Sequence, residues 1–191
     1  MDATAPVRLD VVVGLGSNLE DRCGHLLAGL SALSELGRLT ATSSLYETAP
    51  VGGPPQPAYL NAAVRLETEL SPLDLLGRLQ IIEATRGRVR LERWGPRTLD
   101  LDLLWAKGLV LVGSLLTVPH PRLKARAFAL VPLLEVAPDA VDPVDGIAYA
   151  DRLALLDRAG ITRVGSLEQP EPPRTEDPTQ SAACLRGREA L

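Results

Sequence analysis

Residues 93–105, RWGPRTLDLDLLW, join an arginine-rich run to an alternation of leucine and aspartate. Side chains of an extended chain alternate faces, so Leu99, Leu101 and Leu103 share one face and Asp100 and Asp102 share the other. The leucine face belongs in a core. Carboxylates two residues apart on the opposite face repel, an arrangement that makes sense where a cation lies between them. With hard oxygen donors and no adjacent His or Cys, the cation would be magnesium, completed by water and substrate phosphates. A solvent-facing strand is the alternative reading of the same pattern.

Upstream of this strand, residues 9–14 read as a β-branched strand stopped by a turn at 14–18, GLGSN. Leu26, Leu27, Leu30, Leu33 and Leu36 recur at helical spacing, predicting a helix over 20–36 that Gly37 stops. Residues 39–47 and 59–70 read as strands separated by a Gly/Pro-rich loop, and Ser71-Pro72 supplies N-cap and first-turn chemistry for a helix to Gly87. With 99–105 the order becomes strand, helix, strand, strand, helix, strand, an α+β chain with a ferredoxin-like βαββαβ core. A further strand at 109–112 and helices at 122–136 and 149–159 follow. The organisation predicted is one domain over 1–164 and a Pro/Glu-rich tail over 165–191, a composition that cannot bury a core and is expected to be disordered.

A chain of 191 residues, 46% hydrophobic, can bury one good core, and its formal net charge of −4 argues against a general nucleic-acid or membrane-surface binder. Any anion site must therefore be local. Arg86, Arg88, Arg90, Arg93 and Arg97 crowd the approach to the aspartates with Glu92 the one acid among them, and arginine forks complement a polyphosphate. Gly87, Gly95 and Pro96 would let that segment close as a lid, with Trp94 as a flat wall; a solvated loop is the blander account. There is no GxxxxGK[ST] loop, and GLGSN lacks the third glycine of a dinucleotide fingerprint. Cys23 and Cys184 stand too far apart for a disulfide framework, and with neither a leader nor a membrane-length apolar run the expected location is the cytoplasm.

The segments VGLGSN, SSLYETAPVG, QPAYLNAAV, GRVR, RWGPRTLDLDLL and LTVPHPRLKARAFALVPL, in that order, resemble the 6-hydroxymethyl-7,8-dihydropterin pyrophosphokinase family of folate biosynthesis. The resemblance implies transfer of pyrophosphate from ATP to the pterin hydroxymethyl group, releasing AMP. By it, Asp100 and Asp102 would hold two Mg2+ ions, and Arg88 and Arg97 would contact the phosphates and assist the transition state. Gln80, Glu83, Arg90, Trp94, Thr117, His120 and Arg126 would line the ATP site. Tyr59 and Phe128 would sandwich the pterin, Asn61 and Thr48 would bond its edge, and Pro50, Val51 and Trp94 would complete that pocket. A monomer, with no nucleic-acid or membrane partner, is expected. His25 matches no motif, and Trp105 is expected in the core.

Two departures from the family pattern stand out: the arginine loop is one residue short at Arg90-Leu91-Glu92-Arg93, and Leu115 occupies a place where some members have arginine. The residues alone also admit a non-catalytic ligand-binding or RNA-binding module, which would bind without turnover, and a two-metal phosphohydrolase, which would release phosphate from ATP without the pterin. The acidic balance and the lack of an aromatic RNA-binding motif count against RNA.

Overall fold

A computed structural model of the chain describes residues 8–88 and 95–167. The chain builds β1 (Leu9–Ser17), α1 (Arg22–Ser34), β2 (Arg38–Thr42), β3 (Ser44–Thr48), β4 (Tyr59–Thr68), α2 (Pro72–Thr85) and β5 (Asp100–Ala106). The short β6 (Leu111–Val112) and β7 (Thr117–Val118), a 3₁₀ turn (Leu123–Ala125), α3 (Ala127–Val136), α4 (Tyr149–Ala154) and β8 (Ile161–Ser166) follow. The main sheet runs β5-β1-β4-β3-β8 with β2 also pairing β4, every pair antiparallel. This is the ferredoxin-like α+β arrangement with its second strand broken in two.

The break falls at Ser43. Its Oγ accepts from Ala63 N and donates to Ser44 O, and its own N–H donates to Ala63 O, so one residue leaves the ladder and the strand resumes. Helix starts follow the expected chemistry. The Asp21 carboxylate accepts from Gly24 N at 2.9 Å, and Ser71 Oγ accepts from Asp74 N with Pro72 at the first turn.

The sheet is buried on both faces. Val11, Val13, Leu15, Leu99, Leu101 and Leu103 pack with leucines of α1 and α2 on one side. Val12, Leu104 and Trp105 pack with Leu130, Leu133 and Val136 of α3 on the other. Trp105 is in the core, as expected, and reaches it through a bulge: Val12 pairs with Trp105 and Val13 with Leu103, leaving Leu104 as the extra residue. Strict alternation would have turned Trp105 towards α1 and α2.

Several sequence expectations need correction. Gly14 to Ser17 form no turn but the last half of β1, paired on both sides. Glycine inside a strand marks a place where something must approach the backbone closely. The predicted helix 122–136 is a 3₁₀ turn followed by α3, and the predicted helix 149–159 stops at Ala154. The expected strand 109–112 shrinks to the β6–β7 pair. Strand β8 was not foreseen: it crosses the boundary drawn at 164, and Leu167, 4% exposed, still packs in the core. Its residues are almost all exposed, which left no alternation to read.

Truncating Leu133, fully buried on the inner side of α3, to alanine should cost about 2–5 kcal/mol, whereas Leu155→Ala, 88% exposed, should stay within about 0.5 kcal/mol. Urea unfolding followed by circular dichroism reads both; equal midpoints would contradict this account of the core.

Candidate active site

A cavity of about 540 Å³ opens over the α3 side of the sheet, at the end carrying β1's glycines. Register explains its floor. Asp100 pairs with Gly16, Gly16 with Asn61, and Asp102 with Gly14, so these residues share one sheet face across β5, β1 and β4. The glycines keep the middle strand bare: a Cβ at Gly16 would lie 3.3 Å from Asn61 Oδ1 and 3.7 Å from Asp100 Cβ, and one at Gly14 2.9 Å from Leu104 Cδ1. The GLGSN motif thus sets carboxylates on one side of a glycine floor and an amide on the other.

Asp100 and Asp102 both line the cavity, with the leucines between them buried on the opposite face. Each Asp100 oxygen meets an arginine: Oδ1 lies 2.7 Å from Arg88 Nη1, and Oδ2 accepts from Arg97 Nη1 at 2.7 Å. Burial pushes the Asp102 carboxyl up to about 6, and the charge of Asp100 adds to this, while Arg126, Arg88 and Arg97 pull it back. Asp102 therefore stands in a desolvated place beside a second carboxylate, where a cation would favour its charged form. Among the described residues no group of three or more His, Cys, Asp or Glu side chains could hold a metal. The donor set is two hard oxygens on one strand. That suits magnesium, which keeps most of its shell for water and phosphate oxygens.

The remaining walls carry different chemistry. Tyr59 from β4 and Phe128 from α3 bring two rings into the cavity, and the Arg126 guanidinium lies 5.5 Å from the Phe128 ring centroid. Asn61 Nδ2 donates to Thr48 Oγ1 at 2.7 Å, which turns the Asn61 carbonyl towards Gly16. Val51, 77% exposed, edges the opening. His120 also lines it: its N–H donates to Leu104 O at the β5 bulge, and its Nδ1 accepts from Arg122 N at 3.1 Å. An accepting Nδ1 puts the proton of the neutral ring on Nε2. The histidine is both a turn cap and a cavity residue.

Not every predicted site residue converges here. Glu83 is 3% exposed and does not line this cavity; its carboxylate accepts from Leu101 N at 2.8 Å and from Arg88. It thereby closes the open edge of β5 and holds Arg88. Gln80, three residues earlier, is exposed. Pro50 lies beside the cavity without lining it, and Thr117 Oγ1 donates to Gly113 O within the β6–β7 pair. Arg90 and Trp94 lie outside the described residues. Sequence reasoning did not assign Gln56 and Arg122 to the cavity, and it read Gly14 and Gly16 as a strand-end turn that could bring backbone close to a ligand. Only the glycines carried a usable signal, a pair spaced by two directly after three valines.

A family model described as 7,8-dihydro-6-hydroxymethylpterin-pyrophosphokinase (HPPK) matches residues 12–138. A 2-amino-4-hydroxy-6-hydroxymethyldihydropteridine pyrophosphokinase of Haemophilus influenzae is 49% identical over 133 residues, 69% of this chain and 83% of that protein. One of the same name from Pseudomonas aeruginosa is 46% identical over 156 residues, 81% of this chain and 96% of that protein. Among solved structures, the wild-type Plasmodium falciparum HPPK-DHPS with SDX-DHP superposes with TM-score 0.63 at 14% identity, a likeness of fold. The match covers 80% of this chain and 45% of that one.

Burial foremost, with the charges of Arg126 and Arg122 and against the pull of Asp100, lowers the His120 imidazole to about 4. In a histidine NMR titration the His120 signal should stay at its neutral position well below 6.5, the ordinary value, and move only near pH 4. Between those values the unfolded ring binds a proton that the folded ring refuses, so this residue makes folding less favourable as pH falls through the window. A midpoint at the ordinary value would mean a solvated ring.

Proposed function

The chain belongs to the 7,8-dihydro-6-hydroxymethylpterin-pyrophosphokinase family, and on that premise we propose how its own residues carry the family's reaction. The activity is transfer of pyrophosphate from ATP to the hydroxymethyl group of 6-hydroxymethyl-7,8-dihydropterin, giving AMP and the pterin diphosphate, in folate synthesis. Asp100 and Asp102 would hold magnesium, two ions, which when bound would supply charge neutralisation across the transferring group and a less basic acceptor hydroxyl.

Everything else is positioning and charge. Arg88 and Arg97, each against Asp100, stand beside where the phosphates would lie and stabilise charge as it spreads onto phosphate oxygens. Arg126 and neutral His120 add donors on the nucleotide side, and Arg90, Trp94, Gln80 and Thr117 are assigned to that side by resemblance. The pterin stacks between Tyr59 and Phe128, and Asn61 and Thr48 bond its edge beside Pro50 and Val51. Glu83 acts through Arg88 and β5. No side chain needs to become a covalent carrier.

The observation that carries this reading is the row Asp100, Gly16, Asn61 across three adjacent strands in one cavity. On this reading a carboxylate corner for metal and phosphate and a planar-ligand corner lie on either side of β1, as joining a polyphosphate to a heterocycle's side arm requires. Among the described residues no helix is long and apolar enough to cross a membrane. We further propose a monomer acting in the cytoplasm on these two small substrates, free of nucleic acid and membrane, with its chemistry in residues 1–164 and none assigned to 165–191.

Incubation with ATP, magnesium and 6-hydroxymethyl-7,8-dihydropterin should yield AMP in step with pterin diphosphate. Asp100→Ala and Asp102→Ala should each abolish magnesium-dependent turnover with an unchanged circular dichroism spectrum, and Arg97→Ala should lower kcat about 10²–10³-fold. ADP as the product, or phosphate release without the pterin, would sink the reading.

A further inference from the structure

Asn18 directly follows β1, behind the cavity. It is 1% exposed and does not line the cavity, yet its amide is fully engaged. Its N–H donates to Arg97 O at 3.1 Å, and its Oδ1 accepts from Arg97 N at 2.8 Å. Its Nδ2 donates to Gln56 Oε1 at 2.9 Å and to Pro57 O at 3.2 Å. Backbone partners fix which way the amide points: only an oxygen can accept from Arg97 N, and only a nitrogen can donate to Pro57 O. Gln56 Oε1 also accepts from Tyr59 OH at 3.1 Å. Arg97, Gln56 and Tyr59 all line the cavity.

We propose that Asn18 is a positioning residue for the transfer: one buried amide registers the backbone of Arg97 against the Gln56–Tyr59 wall. The inference rests on the function proposed above and extends it to a residue that touches neither substrate. Arg97 lies 79 positions from Asn18 in sequence and Gln56 lies 38, and beside a long 3.5 Å contact of Tyr59 OH with Gly95 O this amide ties the segment of the phosphate arginine to the pterin wall. Misplacing a charge-stabilising group by about 1 Å can cost about 10²-fold in rate. A side chain with one acceptor and two donors is the smallest that ties both segments, whereas serine, aspartate or alanine each releases at least one.

The test compares wild type, Asn18→Ala, Gln56→Ala and the double variant, with kcat taken per folded molecule, KM for each substrate, and pterin affinity from fluorescence quenching. Gln56→Ala cuts only the pterin side and should raise the pterin KM and Kd about tenfold with kcat close to wild type. Asn18→Ala also releases Arg97 and should add a loss in kcat of about 10²-fold. The double variant should be no worse than Asn18→Ala. If Asn18→Ala does not fold, Asn18→Asp, which keeps its volume and the acceptor for Arg97 N, should show the Gln56→Ala pattern. Wild-type constants per folded molecule in the Asn18 variants, or losses that multiply in the double variant, would overturn the proposal. An inactive wild type would overturn the functional reading beneath it.

Discussion

Two carboxylates on one face of β5, two residues apart and withdrawn from water, repel each other, and much of the site is arranged around that repulsion. Burial and the neighbouring charge hold Asp102 well above an ordinary aspartate, while Asp100 is met by a guanidinium at each oxygen. An uncompensated pair of this kind would be expelled to solvent or neutralised. It is kept in place by Leu99, Leu101 and Leu103, between and beside the acids, whose opposite face is sealed under α1 and α2. The hydrophobic core thus fixes a polar arrangement that would not assemble by itself.

The same register organises the remainder of the cavity. With β1 between β5 and β4, each residue of its last half touches both the acidic strand and the strand of Tyr59 and Asn61. A side chain there would crowd the cavity floor, and Gly14 and Gly16 leave it clear. Leu15, between them, faces the core and anchors the bare segment. The bulge at Leu104 lets β5 change faces after the acids, so that Trp105 packs under α3 while Leu104 O receives the His120 N–H. A one-residue irregularity thereby joins the core to the cavity wall that carries His120.

Much of this could be read from the chain alone where a local pattern carried it. The LDLDL alternation gave β5 and the common face of its acids, and leucine periodicity with Asp21 and Ser71 gave α1 and α2. Reading failed where the information is not local. GLGSN looks like a turn because glycine and asparagine favour turns, and only pairing on both sides makes it strand. The break at Ser43 depends on Ala63, twenty positions away. Strand β8 has a mostly solvated surface and no apolar rhythm. In the site, the residues with evident chemistry were visible beforehand, but the roles of Glu83 and Asn18 rest on backbone groups of distant segments. Spacing carries no trace of such bonds.

The central claim is that the carboxylate pair of β5 is a metal-phosphate site set one strand away from a pterin pocket. The most direct test is the location of the metal: crystals grown with Mn2+, a non-hydrolysable ATP analogue and the pterin, measured at a wavelength where manganese scatters anomalously. The account predicts two anomalous peaks coordinated by Asp100 and Asp102, with phosphate oxygens in their shells and the pterin ring between Tyr59 and Phe128. Manganese bound elsewhere on the chain, with neither aspartate in its coordination shell, would contradict it.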